Sequence, residues 1–480
     1  MLLAFRHSSK KDPSMKAFTL AALAAAIGFA PSSEAVYVSL EGQGEALIYP
    51  YYTAQSLDAQ PFNTYLSIVN QSQWRKSLRV RLREGRNGRA VFSFNLYLGP
   101  RDTWAGAIVP DGEGANLITA DASCTSPALG ASNPLSPASF QGASADGYGE
   151  ETTRVREGYV EVIEMATLAD TATDPSNDGP TCDEYRAEAL ERWLRRPNGG
   201  LSGTLTLINV ATGLDFTVAA DALADLSTAP FHRAPDSSYP DFDAAEIAKH
   251  SSFVRDGWFH RSSWATGLHA VEAALMQGIV ANEVVLDAAT RSGTDWIVTL
   301  PTKRFHAASS NMAPFGFRND ERSVPLRLDF TPRDGRTIHF NIDFPPMQPF
   351  VNNADLRLRW DSTVLSFRRA GVAAGAAGIS SVLGSRNAWI VDLPTSAENG
   401  SAQVGWSGSL SMTGNRMRAS DGLVAPENAH LFGLPVVGFM VRSFRNDAVP
   451  CNGGSCQGNY GGAFPHRYER HLYPSPATAN

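Results

Sequence analysis

The feature that most constrains this chain is a strict period-two alternation on both sides of a turn. Leu78, Val80 and Leu82 alternate with Arg79, Arg81 and Arg83; after Asn87-Gly88, Phe92, Phe94, Leu96 and Leu98 fall on one face. Side chains on a strand point to opposite faces in turn, so this pattern specifies an antiparallel hairpin with one core face. The arginine face is expected to be solvated, and gripping an acidic polysaccharide is the sharper alternative. The pattern returns further on. Val324, Leu326, Leu328 and Phe330 lead to Asp334-Gly335, and Ile338, Phe340, Ile342 and Phe344 lead back.

Other strand-like runs are 45–53, 64–70, 158–164, 204–210, 296–300, 356–360, 389–392 and 434–441. Short strands joined by hairpins favour layered antiparallel sheets. The predicted class is mainly β, with two antiparallel β-sandwich-like domains over 36–234 and 293–450. A short helical connector over 235–292 is predicted from Leu268, Val271, Leu275 and Ile279 at helical spacing. Residues 111–155 lack periodicity and read as a long loop, and 451–480 reads as a surface tail. Thr181 followed by Glu184 forms a capping box opening a short helix, in which Leu190, Trp193 and Leu194 share a face.

The head of the chain decides the compartment. Lys16 precedes an apolar stretch, and Pro31 leads to Ser33-Glu34-Ala35, the order of a secretory signal peptide over 1–35. Residues 1–14 read as leader extension or as preceding the true start. The reading is a protein exported to the periplasm, the cell surface or the medium, with no integral membrane segment after signal removal. A net charge of −7 gives no electrostatic reason to seek nucleic acid. Cys124, Cys182, Cys451 and Cys456 then read as disulfides. Of three pairings, Cys451–Cys456 is favoured because its Asn-Gly-Gly-Ser spacer closes easily, with Cys124–Cys182 by elimination.

Several segments resemble an uncharacterised family of exported bacterial β-rich proteins: Gly44 to Thr53 (with Tyr49-Pro50-Tyr51-Tyr52-Thr53), Val80 to Gly88, Phe94 to Trp104, and Gly293 to Lys303 (with Thr294-Asp295-Trp296-Ile297-Val298). The resemblance implies an exported, β-rich protein and brings no activity, cofactor or active site.

Chemistry-bearing motifs are sparse. Gly405-Trp406-Ser407-Gly408-Ser409 lacks the last glycine of a hydrolase elbow. His269 and Glu272 lie one helical turn apart, without a zinc-peptidase string, and read as an exposed pair. His466 and His471 read as solvated. The candidate metal ligands are Asp174, Ser176, Asp178 and Glu184, oxygen donors around Gly179 that suit calcium, although Glu184 is one position out of register. Tyr49, Tyr51, Tyr52, Trp104 and Trp406 read as core before sugar platforms. The expected function is a non-enzymatic exported binding or structural protein of the cell envelope, with a protein or polysaccharide partner. The alternative is a secreted hydrolase of glycans or esters, because paired carboxylates leave no local mark.

Overall fold

The computed structural model describes residues 34–169, 180–187, 189–306, 313–316, 322–340, 357–371, 378–451 and 454–475. The signal-peptide reading falls almost wholly on residues outside these. Among the described residues no helix is long and apolar enough to cross a membrane.

The amino-terminal half is built on nine main strands: β1 (Ala46–Thr53), β2 (Asn63–Asn70), β3 (Arg75–Glu84), β4 (Ala90–Leu98), β5 (Thr103–Asp111), β6 (Gly114–Ile118), β7 (Glu157–Leu168), β8 (Leu201–Asn209) and β9 (Leu214–Ala219). Strands β1, β7, β3 and β4 are neighbours in an eight-stranded sheet; β6, β5, β2, β8 and β9 are neighbours in a six-stranded one. Leu47, Tyr49, Leu78, Val80, Leu82, Phe94 and Leu96 from the first sheet meet Leu66, Ile68, Trp104, Leu205 and Leu207 from the second. This is the sandwich that the alternation predicts. The hairpin joins β3 to β4 as expected, with Val80 opposite Phe94. Its turn is held by Glu84, whose carboxylate accepts from the amides of Arg86, Asn87 and Arg89 at 2.7, 3.0 and 3.0 Å.

A third layer covers the other face of the first sheet. Ala46, Ile48 and Ile163 pack against Leu226, Phe231, Phe242 and a helix, Gly267–Leu275, which contributes Ala270, Val271, Ala274 and Leu275. Strand β1 therefore has no wet face and is buried along its whole length.

Among the described residues the carboxy-terminal half forms three five-stranded sheets and two two-stranded ones. Its second hairpin is present, with Leu328 opposite Phe340; Ile342 and Phe344 lie outside the described residues. Strands Ser362–Arg369 and Ala388–Leu393 pair in parallel. The halves share a core, since Ile297, Val364, Val382, Leu383, Phe439 and Val441 pack within the amino-terminal cluster.

Several expectations need correction. Segment 235–292 holds one nine-residue helix and also the strands His250–Arg255, Trp258–Ser263 and Ile279–Val285. The stretch 111–155 includes β6 and buries Leu135 and Phe140. The tail is woven into three sheets: Gly454–Pro465 pairs with Val437–Cys451, Arg467–Glu469 with Ile279–Val285, and His471–Pro474 with Val424–Phe432. A backbone edge offers partners to any strand that reaches it, whatever its composition. The helix after Thr181 ends at Arg186, while its capping box forms as read. Leu190 and Trp193 are buried beyond it.

Candidate functional site

The arginines of β3 are not solvated. Arg79, Arg81 and Arg83 are at most 5 % exposed, because the third layer closes over them. Arg79 donates to the carbonyls of Arg233, Ala234 and Ser237, and Arg81 to those of Ser237, Ser238 and Pro240. These carbonyls belong to an irregular segment that would otherwise bury unpaired acceptors. Arg83 reaches Glu161 at 2.5 Å and Asp241 at 2.8 Å.

The carboxy-terminal half enters this cluster through the segment after Leu300. Arg304 pairs with Glu161 at 2.8 Å and also with Asp241. Burial acts to raise Asp241, but the guanidinium groups of Arg304, Arg83 and Arg81 hold it well below the usual carboxylate range. Lys303 is fully buried, 3.3 Å from Asp361, and burial pulls its ammonium down to about 8. His306 meets Glu272 at 2.6 Å, and burial raises that carboxyl. The His269–Glu272 reading is thus corrected: Glu272 faces inward, and His269 bonds Thr266 at the helix start. A second joint is Glu157, which accepts from Tyr51 at 2.8 Å, from Ser385 at 2.6 Å, and from the amides of Arg386 and Asn387 at 3.0 and 3.1 Å.

Gly88 lies beside the first joint at φ +63°, where a Cβ would come within 2.7 Å of both Asp361 Oδ2 and Tyr159 Oη. The position requires glycine for both backbone and space. This matched, buried set of charges fixes the two halves to each other.

Cys124 and Cys182 are joined, as read by elimination, and Cys451 is also disulfide-bonded. The side chain of Cys456 lies outside the described residues. So do Asp174, Ser176 and Asp178, three of the four calcium candidates. Glu184 is engaged elsewhere: its carboxylate accepts from the Thr181 amide at 2.7 Å and closes the capping box. His466 is buried against the Trp296 ring and bonds the Ile297 carbonyl at 3.0 Å, which corrects the solvated reading. Burial lowers it to about 4.

Tyr49, Tyr51, Tyr52 and Trp104 are core, as read. The aromatic the sequence reading passed over is Tyr65 on β2, which is 48 % exposed. Across the outer face of the second sheet it stands between Thr206 and Ala107, and the next row is Thr204, Ser67 and Ala105. These residues, with Ile118 and Thr119, line an open groove of about 540 Å³. Ser67 and Thr204 hydroxyls lie 3.0 Å apart. The signal was available: Tyr65 alternates with Leu66 and Ile68, which places it on the outer face.

One buried carboxyl makes stability depend on pH. Glu45 is pushed up to about 8, first by burial and then by Glu164, although Ser227 donates to it. Between the ordinary carboxylate range and pH 8 the folded state keeps a proton that the unfolded chain releases. Stability should therefore fall as pH rises from 5 to 8, and level off above that. Urea titrations across this range should show the decline, and Glu45→Gln should make it shallower without abolishing it, because burial also raises Asp221 to about 7.

The fold and its joints define a mainly β, sandwich-like protein whose halves are locked by buried ion pairs. Comparison with protein-family models, with curated proteins and with solved structures finds no match.

Proposed function

We propose that this is an exported, non-enzymatic binding protein of the cell envelope or surface, and that it binds a neutral glycan on the outer face of its second sheet. The groove around Tyr65 carries the reading. An exposed ring beside small alanines leaves a flat platform, and the hydroxyls of Ser67, Thr204, Thr206 and Thr119 surround it. Sugars present an apolar ring face edged with hydroxyls, so a bare aromatic with short alcohol side chains complements them. The disulfide Cys124–Cys182 supports export, since such bonds persist in oxidising compartments.

The test is binding of the purified protein to neutral polysaccharides by calorimetry or on an immobilised glycan panel. Tyr65→Ala should weaken binding about tenfold, roughly 1.4 kcal/mol, and shift the denaturation midpoint little, because Tyr65 is half exposed on the outer face of the sheet. Equal binding by the variant, or turnover of the bound glycan, would overturn the reading.

A further inference from the structure

The amino-terminal sandwich contains a second cluster outside the joints and the groove. Lys76 on β3 and Glu164 on β7 are both wholly buried, 2.7 Å apart. Lys76 Nζ is also in contact with the side-chain carbonyl oxygen of Asn198, in the turn that enters β8. Glu164 grips that turn directly, accepting from the amides of Asn198 and Gly199 at 3.2 and 2.9 Å. Thr167 donates to the same carboxylate at 2.9 Å and lies 3.3 Å from Nζ. A buried amine is thereby pressed on an amide carbonyl, with a carboxylate touching the amine.

We propose that Lys76 and Asn198 become joined by an intramolecular isopeptide bond, with Glu164 as the group that moves the protons. The lysine ammonium passes a proton to Glu164 across their hydrogen bond, which removes both buried charges at once. The free Nζ attacks Cγ of Asn198, held in place by the two backbone bonds to Glu164. The Nζ–Cγ bond forms and the Cγ–Nδ2 bond breaks. Protons relayed through Glu164 leave with Nδ2 as ammonium, and the carboxylate is regenerated. No oxidant or other reactant enters. Asn198 is exposed while Lys76 and Glu164 are not, so the leaving group departs into water and the attacking pair stays dry.

The product ties the two sheets covalently, because β3 belongs to the first and the Asn198 turn leads into the second. A chain that already carries a disulfide in this half gains a link that reduction cannot open.

The experiment is intact-mass and tryptic mapping of the denatured full chain. The expected protein is lighter by one ammonia than its disulfide-bonded sequence. Trypsin should fail to cut after Lys76, and one branched peptide should contain both Lys76 and Asn198. Lys76→Arg and Asn198→Ser should each restore the full mass, and Glu164→Gln should lose nearly all of the branched peptide. Asn198→Ser changes an exposed turn residue, so it is the variant that tests the bond without risking the fold. Cleavage after Lys76 together with an intact Asn198 overturns the proposal. Ammonia loss confined to the Asn198-Gly199 peptide overturns it too, since that marks ring closure on the Gly199 amide nitrogen instead.

Discussion

Replacing Arg304 by alanine is expected to lower unfolding free energy by about 3–5 kcal/mol, the penalty for leaving buried charges without their partner. Arg304 is 7 % exposed and satisfies Glu161 and Asp241 together, and its ring neighbour Phe305 lies 4.1 Å below the guanidinium carbon. Without it Glu161 keeps Arg83, but Asp241 loses the guanidinium that acts on it most strongly of the three that hold it ionised. The loss is large against a domain's net stability of about 5–15 kcal/mol. Arg304→Lys should fall between, since an ammonium supplies charge without the fork that reaches two carboxylates. Urea denaturation with an unchanged slope would report it. A shift in the midpoint equivalent to under 1 kcal/mol would show that the joint does not hold the halves together.

The second large effect is expected from the Cys124–Cys182 disulfide. It closes a sequence separation of 58 residues, for which loss of unfolded-chain entropy corresponds to about 4 kcal/mol. The helix it tethers, Cys182–Arg186, has five residues and cannot stand alone. It is held by the stack of Tyr185 on Tyr97, with centroids 4.1 Å apart, and by buried Leu190 and Trp193. Cys124→Ser with Cys182→Ser should therefore lower stability by roughly 3–4 kcal/mol. It should also make 180–195 more readily cut by limited proteolysis, because the disulfide is the covalent tie between this short helix and the strand Cys124–Ser126. Unchanged denaturation and an unchanged cleavage pattern would show that packing alone secures it.

Local signals were read well where local physics decides. The β3–β4 hairpin follows from side-chain alternation, and the Thr181–Glu184 box from satisfying free amides at a helix start. The outward face of Tyr65 is equally legible in its alternation with Leu66 and Ile68. Buried charge was not legible. Arg79, Arg81 and Arg83 look like a wet stripe because alternation tells which residues share a face, and says nothing of what covers it. Glu272 and His466 misled in the same way: each is polar and locally unremarkable, and each is buried by a segment distant in sequence. The tail after Cys451 failed for a related reason. Glycine and tyrosine there suggest no strand, yet open edges of three sheets recruit it.

By itself, then, the sequence determined a mainly β chain, the presence of its first hairpin and the inward face of its amphipathic strands. Those follow from dihedral periodicity and the cost of wetting apolar surface, which act over a few residues. Tertiary structure alone decided that a third layer would seal the arginine face, and that Arg304 would meet Asp241. It also decided that Lys76 would touch Asn198. Such contacts join residues dozens to hundreds of positions apart. Their energies exist only once burial has removed the water that would otherwise screen them.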